Sequence, residues 1–394
     1  MGFLSGRVSF ERFRVISGAP RQFGQDHIET LEKYSIDRMK IESPDQPRIG
    51  FLAGEHLLDL RFGLEKNIIN DALHFGVRID SDQIPAAIKR AWLQIELAAL
   101  TADNPSGRPT KVQRQEAKEA VEARCEEEAR SGKFRRMQQF PVLWDVRNSV
   151  LYFGGSSASA MEQSQDLLEQ AFEVELERIT SGKLAQAWAT EAKQRKALEA
   201  AAPCGFLSQD DSPGEVLWWN GHSENYDYLG NEFLLWLWWH WDTESDTLTL
   251  PDGSEATGMF ARTLSLECPR GESGKETISA ESPVDLPEAW QAIQSGKLPR
   301  KAGLTLVRYG EQYELALQAE SFAVGGAKLP PSEADEERSE LEDRIDRVRN
   351  LSETLDLLYQ TFCQRRLGKS WTSDLQQMRS WLKAKPGSAK KPAA

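Results

Sequence analysis

The sequence predicts an α+β protein: antiparallel sheets with packed helices, a projecting helical hairpin and a long C-terminal helical arm. Three observations predict it. Short alternating runs come in pairs around tight polar turns, at 141–146 with 149–153 and at 304–309 with 313–317, which is the pattern of β-hairpins. A helix-length segment from Thr110 to about Ala129 is almost devoid of large apolar residues, so it projects into solvent or lies on a polar partner. Between 332 and 367, Leu341, Ile345, Val348, Ser352, Leu355, Leu358 and Phe362 keep one stripe at steps of three and four. That stripe marks an arm packed on a partner helix or on its own body.

Each element follows from local pattern. In 7–15, Val8, Phe10, Phe13 and Val15 suggest a strand with a slip in its alternation. Residues 28–34 read as helix, Ile49, Phe51 and Leu52 as a short strand, and 72–79 as another strand. A helix over 85–100 starts at Pro85, whose missing N–H costs nothing there, and carries a stripe of Ile88, Trp92, Ile95 and Ala99. The loop 103–109 breaks the chain, and Thr110 is placed to N-cap the polar helix. Ser157 or Ser159 caps a helix reaching about 176, and the Ala-rich 183–201 is helical up to Pro203. Residues 228–241 are apolar on every side and predict a core helix. Runs at 247–250 and 259–268 flank Pro251-Asp-Gly as a hairpin-like unit, 286–294 is a short helix, and 371–382 is a final amphipathic helix before a disorder-prone tail. The expected division is 1–83 as an N-terminal α+β segment, 84–140 as the projecting hairpin with a basic loop, 141–202 as a β-hairpin plus helices, 203–330 as an acidic Trp-rich insertion with an α+β domain, and 331–394 as the arm and basic tail.

Composition narrows the function classes. The chain has 394 residues, 40% hydrophobic and 28% charged, enough to bury a core without disulfide or metal staples. A net charge of −13 excludes a chain-wide basic coat, so any nucleic-acid contact must come from local patches. Charge is segregated: 108–136 holds nine Lys/Arg against six Glu, 201–290 three against seventeen acidic residues, and 363–394 eight against one. The bland reading of such runs is solvated helix faces and a solubilising tail. The apolar runs are too short to span a bilayer, MGFLSGRVSF lacks a secretory h-region, and Gly6 fails the myristoylation pattern. Four isolated cysteines fit reduced thiols, and a cytoplasmic, nucleoid-associated location is expected.

No catalytic motif emerges. Ser-Gly-Lys occurs four times, but none has the Gly and Ser/Thr spacing of a phosphate-binding loop; at 131, 181 and 295 the Gly is expected to close a helix. The five histidines lack metal-ligand spacing, no GxSxG or SxxK is present, and the Asp210-Asp211 pair sits in loop-like sequence. Neither enzyme activity nor a metal or cofactor is expected. Trp236, Trp238, Trp239 and Trp241, with Trp218 and Trp219 upstream, would suit base stacking, but no Lys or Arg lies between 216 and 261, which favours a core or an interface.

The strongest functional signal is cationic. Lys111, Arg114 and Lys118 share one face of the polar helix, with Arg124 further on. Lys133, Arg135 and Arg136 follow on an expected loop, and Lys297, Arg300 and Lys301 on a second loop after the short helix. A basic helix and two basic loops converging on a duplex backbone would bind phosphates without reading sequence.

At this point the residues resemble a family. The order of helix 84–100, Lys/Glu helix, Lys133-Phe-Arg-Arg, Val142-Leu-Trp-Asp-Val and Val150-Leu-Tyr-Phe-Gly-Gly-Ser-Ser-Ala-Ser-Ala looks like the bacterial recombination-associated protein RdgC, as does 287–301 with its following hairpin and Lys328-Leu329. The likeness covers about 70–175 and 275–330. It implies an α+β ring-shaped homodimer around double-stranded DNA, binding without sequence preference and restraining RecA-driven strand exchange, with single-stranded DNA as a second ligand. By position it places Phe134 near a subunit contact and Lys297 and Lys301 near the DNA-facing side. The sequence departs from the family in lacking Leu-Pro before Lys133-Phe134, in the extra 203–270 and in the long arm. A protein–protein scaffold using the arm is the alternative reading, and a metal-dependent nuclease the third.

Overall fold

The structure is a computed structural model, and it describes residues 2–39, 46–82, 84–102, 104, 107–155, 157–207, 225–269 and 273–384. The chain begins with β1 (Val8–Ser17), α1 (Gln25–Lys33), β2 (Arg48–Leu52), α2 (Leu64–Asn67), β3 (Ile68–Ile69) and β4 (Ala72–Asp82). A helical hairpin, α3 (Ala86–Thr101) and α4 (Lys111–Ser131), separates β4 from β5 (Arg135–Asp145). Then come β6 (Val150–Phe153), α5 (Ala158–Phe172), β7 (Glu175–Arg178), α6 (Ser181–Glu191) and α7 (Arg195–Glu199). The second half holds α8 (Tyr228–Thr243), β8 (Thr247–Thr249), β9 (Glu255–Glu267), β10 (Glu276–Ala280), α9 (Pro287–Gln294), β11 (Leu298–Arg308), β12 (Glu311–Gln318) and β13 (Val324–Lys328). It closes with α10 (Glu337–Arg366) and α11 (Trp371–Lys383). Trp218, Trp219, Asp210, Asp211 and the basic tail lie outside the described residues.

The strands form one antiparallel sheet in the order β10-β9-β11-β12-β13-β1-β6-β5-β4-β2, with β3, β7 and β8 attached to β4, β1 and β9. The fold is therefore α+β, as its sequence predicts. β1 is the seam of the sheet. Val8 and Phe10 pair with β13, whereas Glu11 to Arg14 pair with β6. The predicted slip in alternation, between Phe10 and Phe13, falls where β1 changes partner from β13 to β6.

Two cores lie on opposite faces of this sheet. The larger fills the space between β9–β13 and the helices α6, α8, α9, α10 and α11. Its centre is α8, whose Trp236, Trp238, Trp239 and Trp241 are buried, so the Trp-rich segment is a core helix. Gly258 admits this packing, because a Cβ there would meet the Trp241 ring at 2.3 Å. The smaller core packs α1 and α5 on the other face of β1, β4, β5 and β6. The stripe of α10 is buried on the protein's own body, with Ile345, Val348, Leu355 and Phe362 all at 0% exposure. The arm is thus an internal clamp.

Several expectations are corrected. The helix from Ser157 stops at Phe172, where Glu173 turns left-handed, and Leu176 pairs with Val15 as part of β7. Gly182 does not close a helix; it lies in the first turn of α6, capped by Thr180. Gly132 and Gly296 do follow helices, at φ of 69° and 94°. Of the α3 stripe only Trp92 is buried, and Ile95 is 59% exposed, because α3 packs chiefly along α4. β3, β7, β10 and β13 are not among the expected strands, being too short or too polar to show alternation.

Candidate functional site

The hairpin is built by its caps. The Thr110 hydroxyl accepts from Gln113 N at 3.2 Å, and the Gln113 side-chain carbonyl accepts from Thr110 N at 3.0 Å. Gln113 also donates to Leu100 O at 2.6 Å, tying the two helices together at the tip. At the base a small cluster of Ile84, Trp92 and Val121 holds them, with Phe134 half-buried edge-on to Trp92 at 6.4 Å. The Arg124 guanidinium lies over the Trp92 ring at 4.5 Å, so this cation belongs to the packing.

Charge is segregated along α4. Its 21 residues span about 31 Å. Lys111, Arg114 and Lys118 occupy the outer half, are exposed, and make no ion pair among the described residues. Glu116 and Glu119 share that half with them, while the inner half carries Glu122, Glu126, Glu127 and Glu128 against Arg124 and Arg130, and there Arg130 pairs with Glu126 and Lys133 with Glu128. The first turn, with Lys111 and Arg114 and no acidic residue, is therefore cationic, and the balance of charge turns acidic toward the base.

The two basic loops are corrected to strands. Arg135 and Arg136 open β5, where Arg135 pairs with Asp82 at 3.6 Å and Arg136 stays exposed. Arg300 and Lys301 lie in β11, immediately after Lys297. Lys297 is only 6% exposed and is ion-paired with Glu276, because β9 pairs with both β10 and β11 and so draws Glu276 beside it. Arg300 bonds Glu320 at 2.6 Å and Glu267 at 3.1 Å. Burial depresses the Arg300 pKa, but these two carboxylates outweigh it and hold the guanidinium above its usual value. Lys297 and Arg300 therefore bind carboxylates of their own chain.

Lys301 is the exception. It stands between Ser265 on β9 and Gln318 on β12, on the sheet face away from α8, and makes no ion pair among the described residues. There it lines a depression of about 460 Å³ together with Lys275, Thr277 and Glu320. A second depression of about 420 Å³ continues from Lys301 over Gly303, Ala316 and Gly325 to Arg7 and Arg262. Gly303 is required there, since its Cβ position lies 1.9 Å from Ala261 O. Lys275 is not among the cations expected to bind. Only the pairing of β10 with β9 brings it to this face, and its sole signal is the Ser-Gly-Lys it ends.

By the pleat, Arg136 and Lys301 lie on the same face of the sheet. Their strands are five places apart, about 24 Å, and α1 and α5 cover the sheet between them. The predicted cations thus form two separate groups, one on the hairpin and the start of β5 and one on and beside β11. No family model and no curated protein matches the chain, so the likeness to the RdgC family rests on the motifs quoted above. Among the described residues no group of three His, Cys, Asp or Glu side chains is arranged to hold a metal ion, and no helix is long and apolar enough to cross a membrane.

Proposed function

We propose that the protein binds double-stranded DNA without sequence preference, through the cationic tip of the α3–α4 hairpin and the open face around Lys301. The observation that carries this reading is the charge segregation of α4. Three exposed, unpaired cations stand on a projecting element of a chain whose net charge is −13. An acidic body repels a polyanion everywhere except at such a tip, which orients the encounter. Lys111, Arg114 and Lys118 supply point charges for phosphates, a contact that carries no base information. The RdgC-like motifs support the same reading and add a ring-like homodimer acting on RecA-dependent recombination.

The test is a salt titration of duplex binding. Three phosphate contacts from the tip contribute about −2.7 to the slope of log K against log salt. The triple variant Lys111→Glu, Arg114→Glu, Lys118→Glu is expected to lower affinity for random duplexes by tenfold or more and to flatten the slope by about three. Unaltered affinity and slope would refute the assignment. Lys297→Glu is a poor probe, because it strands a buried carboxylate beside Glu276 and reports on folding.

A further inference from the structure

The two ends of the sheet are finished differently. At the β2 end the backbone is covered, since Phe51 N donates to Tyr34 O at 2.9 Å and Ile36 N donates to Phe51 O at 3.0 Å. At the other end β10 pairs only with β9, and among the described residues no backbone group bonds its outer edge. Unpaired edges are normally blunted by Lys, Pro or a bulge within the strand. β10 reads Glu-Thr-Ile-Ser-Ala, with neither Lys nor Pro, and its pairing with β9 runs through all five residues.

The residues flanking β10 are complementary to themselves. Lys275 precedes the strand and Glu281 follows it; both are exposed and neither has an ion pair among the described residues. Two copies paired antiparallel about a two-fold axis normal to the sheet must centre on a residue, because opposed side chains share a face. Centring on Ile278 sets Thr277 against Ser279, Glu276 against Ala280 and Lys275 against Glu281. Centring on Thr277 or Ser279 leaves Lys275 without Glu281. Ile278, half-buried on the larger core, then meets its own copy at the axis.

We infer that β10 is a homodimer interface, joining antiparallel to β10 of a second copy about Ile278 so that the sheet runs continuously through both chains. The inference rests on the homodimer of the proposed function and names its interface; it uses neither the hairpin nor Lys301, and of the cations on the DNA-binding face it shares only Lys275. A strand pair this short is small beside a standard interface, so the association is concentration-dependent.

The experiment measures mass against concentration for the full chain by light scattering. Lys275→Glu and Glu281→Lys each place like charges opposite one another twice, and each should weaken the dimer about tenfold. The double swap Lys275→Glu with Glu281→Lys restores the pairing and should return the dimer. Ile278→Cys should give a covalent dimer on mild oxidation, with the parent protein as control. A chain that is monomeric throughout, single swaps without effect, or a double swap no better than either single would overturn the proposal. Duplex affinity of reduced Ile278→Cys, measured where it and the parent are both monomeric, is expected to match the parent, which separates this interface from the DNA site.

Discussion

His74 on β4 shows how a single buried group writes a pH dependence into the fold. Its ring is 2% exposed and packs on Gly54, where a Cβ would meet the ring at 2.7 Å. Burial, then the Lys66 charge, lowers its pKa from 6.5 to about 4, against a smaller opposing pull from Asp59. The folded protein thus holds a neutral imidazole that the unfolded chain protonates first. This stability is present above pH 6.5 and is lost as pH falls toward 4, amounting to about 3 kcal/mol. Urea midpoints taken between pH 7 and pH 4 should fall more steeply for the parent than for His74→Gln, and parallel curves would refute it. Arg349 poses a different case. It bonds Asp145, which is 0% exposed, at 2.6 Å, so Arg349→Met strands a buried carboxylate and should cost about 3–5 kcal/mol. Arg136→Met, at an exposed and unpaired cation, should stay within about 0.5 kcal/mol in the same urea series.

At the scale of elements, the hairpin stands on its own small packing. Its buried cluster is Ile84, Trp92 and Val121, and α4 packs chiefly on α3. Its tip depends on the reciprocal cap of Thr110 and Gln113. Thr110→Ala should cost the first turn of α4 about 1 kcal/mol. Hydrogen exchange should quicken at the start of α4 while the global urea midpoint stays put, because local opening there exposes little of either main core. A fall in the global midpoint would mean that the hairpin is coupled to the body more tightly than its contacts indicate.

The whole molecule is tied together at two places. β1 belongs to both halves of the sheet, and α10 bonds both: Asp356 holds Arg12 at 2.7 Å, Arg349 holds Asp145, and Glu353 holds Arg308 at 2.8 Å. The larger core is built on α10, and the smaller core, which has no residue of α10, is joined to it through β1 and these ion pairs. Unfolding should therefore be a single transition, with tryptophan fluorescence, dominated by the larger core, coinciding with far-ultraviolet circular dichroism. Two separated transitions would show that the halves are independent units.

Local chemistry was legible in the sequence wherever neighbours along the chain decide the outcome. Thr110 caps α4, Gly132 closes it, the all-round apolar run of α8 is a core helix, and the stripe of α10 is buried, because periodicity and capping act within a few residues. Tertiary structure alone decided which cations are free. Lys297, Arg300 and Lys301 look alike in sequence, yet strand pairing brings Glu276, Glu320 and Glu267 to the first two and only Ser265 and Gln318 to the third. Whether a charge faces solvent or a carboxylate depends on partners about 20 or more residues away, and no local pattern carries that distance.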